Sequence, residues 1–184
     1  MLRRLATVIG MLLCLGGLLS AETPSGLWLD VPFVQQEKDG CGSASIAMVM
    51  QYWLAQQGQT VGAAADALQI QRVLYSRQAG GIYASQMQRY FQEQGFHAFA
   101  FHGDWDDLKL HLEKGRPLIV ALKPSMHDPL HYVVVTGLDW DQNLVLVNDP
   151  AQRKLLKQDR STFEREWSAA DKWTLLALPQ PHIH

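Results

Sequence analysis

The chain has 184 residues, 47% of them hydrophobic and 18% charged, with a formal net charge of −2. That length and mix support one globular domain with a buried core and exclude a disordered chain. The near-neutral charge leaves no basic footprint, so nucleic acid is not an expected partner.

The first 21 residues read as a separate object. Arg3 and Arg4 precede an apolar run from Leu5 to Leu19, and Ser20-Ala21 supplies small residues before Glu22. This is the pattern of a secretory signal peptide, with cleavage expected after Ala21 and a periplasmic or extracellular destination. The apolar run is shorter than the ~20 residues of a membrane-spanning helix, so an uncleaved anchor is the secondary expectation. Lipidation at Cys14 is disfavoured, because Met11-Leu12-Leu13 lacks small residues before the cysteine. Cleavage takes Arg3 and Arg4 from the 16 basic residues, leaving 14 against 18 acidic, a net of −4. It also removes Cys14, so Cys41 becomes the single thiol and no internal disulfide can form.

In residues 22–184 one domain is expected, taken here in chain order. Leu27 to Val34 reads as extended, with Pro32 consigning it to an edge or a surface crossing. A polar loop, Gln35-Gln36-Glu37-Lys38-Asp39-Gly40, leads to Cys41-Gly42. Ser43 to Gln57 is predicted as a helix ended by Gly58, and its apolar content nearly all round makes it a buried central helix. Thr60 is placed as the cap of a second helix, Val61 to Leu68. Ile70 to Gly81 shows no clear period. Ala84 to Gln94 is amphipathic, with Gly95 after it, and Phe96 to His102 alternates as a strand. Asp104 caps a helix from Trp105 to Lys114. Pro117 to Lys123 is a buried strand, and His131 to Leu138 forms a hairpin with Leu144 to Asn148 through Asp141-Gln142-Asn143. Ser161 is placed as the cap of a short helix to Trp167, and Trp173 to Leu178 is the last strand. Helices first and strands second indicate an α+β domain with an antiparallel sheet.

A lone thiol in an exported protein is a liability unless it is buried or used. Cys41 sits where a glycine-flanked loop meets a helix N-terminus, and there unpaired N–H groups and the helix dipole favour the thiolate. A cysteine nucleophile needs a base and a group that orients the base. Of seven histidines, His182 and His184 lie in a Pro-rich tail, His97, His102 and His111 sit at boundaries or on a helix surface, and His127 is in a loop. His131 opens a strand, where it can face a cleft, so it is the expected base. Asp149 ends the paired strand and is expected to accept the His131 Nδ1–H, while Asn148 points to the opposite face. The Cys41 backbone N–H is one oxyanion donor. Gln35, six residues upstream, can supply the second, with the adjacent Gln36 the weaker candidate. His127-Asp128-Pro129-Leu130-His131 is no metal site, because Pro129 breaks the helix that would align the two histidines, and no cofactor or metal is called for.

The order Gln35, Cys41, His131, Asp149, the Cys41-Gly42-Ser43-Ala44 helix start, His131-Tyr132-Val133-Val134 and Asn148-Asp149-Pro150-Ala151 together resemble the papain-like bacterial cysteine peptidases that process bacteriocins, cysteine peptidase family 39. The resemblance runs from about residue 27 to residue 178. It implies a papain-like fold and peptide-bond hydrolysis, with Cys41 as nucleophile, His131 as base, Asp149 as orienter and Gln35 as oxyanion donor. The family commonly has Asp directly before the cysteine, whereas Asp39 is followed here by Gly40. Many family members are cytoplasmic domains of transporters that cut double-glycine leaders; this chain is expected to act as an exported, free-standing monomer on a peptide or protein substrate, without a membrane span after signal removal. A papain-like amidase or acyl transferase, and a non-catalytic peptide-binding module, are the alternatives.

Overall fold

A computed structural model describes residues 26–180. The segment 1–21, Cys14 included, and the tail histidines His182 and His184 lie outside the described residues.

The element order is β1 (Gly26–Trp28), α1 (Cys41–Gln56), α2 (Ala67–Leu74), α3 (Ala84–Glu93), β2 (Phe96–His102), α4 (Trp105–Glu113), β3 (Leu118–Leu122), β4 (His131–Asp139), β5 (Leu144–Asp149), β6 (Arg153–Asp159), α5 (Arg160–Ser168) and β7 (Trp173–Pro179). The strands form one antiparallel sheet in the order β2-β7-β3-β4-β5-β6, with β1 paired to the far end of β4. The α+β architecture with a buried cysteine-bearing helix against an antiparallel sheet is as expected.

Strand alternation divides the interior in two. Ile119, Ala121, Tyr132 and Val134 join the core under α1 and α3, while Leu118, Val120, Leu122, Val133 and Val135 join a second core under α4 and α5. With both faces covered, β3 and β4 have no solvent face, which is why their sequences run almost unbroken in apolar residues. Ile46, Met48, Met87 and Phe91 fill the first core; Leu108, Leu112, Phe163 and Trp167 fill the second.

Four expectations need correction. The extended reading of 27–34 shrinks to a strand at 26–28, whose register with Gly137 to Asp139 leaves Pro32 in the irregular segment beyond. The helix predicted at 61–68 is instead a 3-10 turn at Ala63–Ala65 followed by α2, capped by Asp66 accepting from the Gln69 N–H at 2.9 Å. Val61 finds no core to bury in and stays 56% exposed, whereas Ala67, Ile70 and Leu74 pack inward at helical spacing. Strand β6 was not anticipated: Arg153-Lys154-Leu155-Leu156-Lys157-Gln158-Asp159 has no alternation because it is a charged edge strand. Finally, α5 is capped by Asp159, which accepts from the Ser161 and Thr162 N–H groups, and not by Ser161.

Candidate active site

Cys41 is the first residue of α1, after an N-cap Gly40 that offers no side-chain acceptor. The first N–H groups of the helix therefore have no side-chain cap and are left for the Cys41 sulfur or an anion beside it. Gly40 has a steric reason: a Cβ there would come within 3.0 Å of Gln71 Oε1 and of the Glu37 carbonyl. Gln71 occupies that space because its Nε2 donates to the Lys38 carbonyl (2.8 Å), holding the loop before the cysteine onto α2. Gly42 lets α1 pass close to Ile82, whose Cβ would lie 3.2 Å from an added methyl.

The start of α1 is fastened to β4 at one residue. Ser45 Oγ donates to the Tyr132 carbonyl (3.3 Å), and the Tyr132 N–H points at the Cys41 sulfur. His131, the first residue of β4, faces the same sulfur. Its Nε2 lies 2.8 Å from Asp149 Oδ1. The nitrogen bound to Asp149 is thus Nε2 and not the Nδ1 expected from sequence. Since a carboxylate only accepts, Nε2 carries the proton there and Nδ1 is left for the thiol. Asp149, with its side chain 6% exposed, also accepts from the Ala151 N–H (2.9 Å) on Oδ1 and from Gln152 Nε2 (2.7 Å) on Oδ2.

These contacts set the charges. Burial pushes the Cys41 thiol up, but the hydrogen bond and charge of His131, with the Tyr132 and Gly42 N–H groups, outweigh it and hold the thiol below its usual range. Burial pushes His131 down, yet its bonds to Asp149 and Cys41 raise it to about 9. Burial likewise opposes ionisation of Asp149, and the His131 bond and charge, then Ala151 and Gln152, overcome it and lower its value. The shifts of all three groups thus run toward a thiolate, an imidazolium and a carboxylate that stabilise one another. Tyr132 is raised by burial and by the Cys41 charge to about 12 and stays neutral.

The two glutamines part company. Gln35 is exposed and lines a hollow with Ser43, Gln51, Asp66 and Gln71, on the α2 side of α1. Gln36 turns the other way: its N–H donates to the Pro150 carbonyl (2.9 Å), and its side-chain Oε1 is buried without a partner. Asn148 points away from Asp149, as alternation requires, and its buried amide ties three segments by donating to the Val31 and Pro32 carbonyls and accepting from the Leu155 N–H. Sequence reasoning missed Gln152; its signal was a donor side chain three residues past Asp149, at the end of a Pro-containing turn. No helix among the described residues is long and apolar enough to cross a membrane.

Comparison with known proteins agrees in fold. No curated protein sequence matches this chain. A C39-like peptidase from Bacillus anthracis has a similar structure at 20% identity and TM-score 0.67, covering 84% of this chain and 98% of its own. The peptidase domain of Streptococcus ComA, a bifunctional ABC transporter of a quorum-sensing pathway, is similar at 20% identity and TM-score 0.62, covering 82% and 98%. A double-glycine-motif protease from an AMS/PCAT transporter, solved with its leader peptide, is similar at 21% identity and TM-score 0.60, covering 84% and 95%. The family described as Peptidase_C39 like matches residues 28–174, which is most of the chain, and the protein belongs to that family.

Proposed function

We propose that the protein is a cysteine peptidase that hydrolyses peptide bonds by acyl transfer through Cys41. The observation that carries this reading is the alignment of Cys41, His131 and Asp149, with the His131–Asp149 bond at 2.8 Å and the sulfur at a helix N-terminus. Cys41 Sγ, as thiolate, attacks the scissile carbonyl and the carbonyl oxygen takes the negative charge. His131, protonated at Nδ1, gives that proton to the leaving amine, then takes one from the water that attacks the thioester. Asp149 keeps Nε2 protonated and the ring aimed throughout.

The oxyanion would receive the Cys41 backbone N–H and a glutamine amide. Gln36 is favoured over Gln35 as that second donor. The Gln36 amide oxygen is buried and its backbone N–H is tied to Pro150, which keeps the residue beside the Asp149 turn, whereas Gln35 is exposed and lines a separate hollow. A peptide substrate agrees with the leader peptide bound to the PCAT protease of the same fold. Export, with cleavage after Ala21, completes the proposal; N-terminal sequencing of protein recovered from cells should begin at Glu22.

The deciding experiment compares peptides released from a native proteome extract by wild type and by Cys41→Ala. Wild type should release a set of peptides absent with Cys41→Ala. Equal peptide sets, together with Cys41 alkylation by iodoacetamide no faster than that of a free thiol at pH 7, would overturn the assignment.

A further inference from the structure

We infer that Gln152 is a positioning residue of the same site, clamping the Asp149 carboxylate by its second oxygen so that the first stays aimed at His131. The inference rests on the proposed Cys41–His131–Asp149 arrangement and adds a fourth member.

The Asp149 carboxylate receives three donors. His131 Nε2 and the Ala151 N–H both fall on Oδ1, at 2.8 and 2.9 Å. Gln152 Nε2 alone meets Oδ2, at 2.7 Å. Donors on one oxygen hold the carboxylate at one point only, about a Cβ–Cγ torsion that is soft for Asp. A donor on the other oxygen fixes the carboxylate plane, and with it the direction in which Oδ1 accepts. The amide must present nitrogen here, since a carboxylate offers no proton.

The backbone delivers Gln152 to this place. Asp149-Pro150-Ala151-Gln152 is a tight turn closed by the Gln152 N–H on the Asp149 carbonyl (3.0 Å), with Pro150 at the position that prefers its fixed φ. Main chain and side chain of Gln152 thus both return to Asp149. The residue itself is exposed, so this contact is not a by-product of core packing. A cavity of about 190 Å³ behind the site is lined by His131, Asp149 and Gln152 together with Lys157 of β6 and Glu166 of α5. The other groups facing the pair are Cys41 from α1, Tyr132 next to His131, and Arg153, the register partner of Asp149. Glu166 is already engaged by Gln158 Nε2 (2.9 Å) and by Arg165 (3.7 Å), which leaves Gln152 as the side-chain amide on Asp149.

The test is a pH titration of the His131 ring by NMR in wild type, Gln152→Ala and Gln152→Glu, with thermal melts of all three. Wild type should show an alkaline event as the imidazolium loses its proton and an acid event as Asp149 gains one. Gln152→Ala should move the acid event up by about one pH unit, because a hydrogen bond to a charged group is lost. Gln152→Glu should move both events up, since a second carboxylate beside Asp149 opposes joint ionisation and favours the imidazolium. On any peptide found to be cleaved by wild type, Gln152→Ala should lower kcat about 10-fold with KM unchanged, as loss of an orienting contact predicts. Melting temperatures at neutral pH should fall by no more than about 2–5 °C in Gln152→Ala, the linked effect of the acid-event shift, with the fold retained in all three. Acid events that coincide in all three proteins overturn the inference. Alkylation of wild-type Cys41 no faster than a free thiol would instead overturn the peptidase reading, and the titration would still report on Gln152.

Discussion

Asp149 keeps its charge in a nearly closed place because three donors converge on it, and His131 keeps its proton because Asp149 is charged. Replacing Asp149 by Asn should therefore reverse the His131 tautomer, since an Asn can turn its NH₂ toward Nε2. We expect a loss of roughly 10³–10⁴-fold in kcat, read in steady-state assays, with little change in fold. The glutamines supply a sharper comparison. Gln36→Ala should lower kcat about 10²–10³-fold if its amide meets the oxyanion. Gln35→Ala, on an exposed side chain, should stay within about twofold. The reverse ranking would restore the spacing argument, in which Gln35 lies six residues before Cys41. Gly40 is now explained by its neighbours: Gln71 fills the space a side chain would need, so the departure from Asp at this position reflects the packing of the loop on α2.

At the scale of elements, two contacts deserve tests of stability. The cap of α2 is Asp66, so Asp66→Ala should cost about 1 kcal/mol in denaturant unfolding, while Thr60→Ala should cost under about 0.5 kcal/mol. Equal costs would mean that the helix begins earlier than its hydrogen bonds indicate. The second contact joins β1 to β4. A Cβ on Gly137 would lie 2.5 Å from the Leu27 carbonyl and 2.7 Å from Trp28 Cβ, both of them on the paired strand. Backbone cannot yield as a flexible side chain does, so Gly137→Ala should release β1 and destabilise by about 1–3 kcal/mol. Hydrogen exchange at residues 26–28 should rise with it. The β4–β5 ladder has its register shift at this same place, between Val135 and Gly137, where β4 passes from β3 to β1 as its neighbour.

For the whole molecule, the His131–Asp149 pair couples folding to pH. His131 has a folded value of about 9, above its ordinary 6.5, so its contribution to stability is complete below pH 6.5 and is lost as pH rises through about 9. Asp149 has a folded value below its ordinary 3.8, so its contribution is present above pH 3.8 and is lost as pH falls through the folded value. Thermal stability should thus pass through a plateau and decline on both sides. In Cys41→Ala, which lacks the thiolate partner, the alkaline decline should begin at lower pH. The rate of peptide cleavage should follow the same logic: it rises as Cys41 ionises below its usual range and falls as His131 deprotonates near 9. An alkaline limb at 6.5 would show that Asp149 does not act on His131 in solution.

The meeting of Cys41, His131 and Asp149, the α+β class and most elements were legible in the linear chain, because each depends on local chemistry. A glycine-flanked cysteine before an apolar helix, a histidine opening a strand and an aspartate closing its hairpin partner are patterns of neighbours in sequence. Strand β6 was not legible, because an edge strand buries little and its pattern is set by solvent. The start of α2 was not legible either, since Thr60 and Asp66 can both cap a helix and the core decides which following residues it will bury. Tertiary structure alone decided which nitrogen of His131 meets Asp149, which glutamine turns toward the Asp149 turn, and that Gln152 reaches Oδ2. The physical reason is common to all three. Each is a choice between atoms one or two bonds apart, and it is made by the direction in which distant segments approach, which spacing along the chain does not specify.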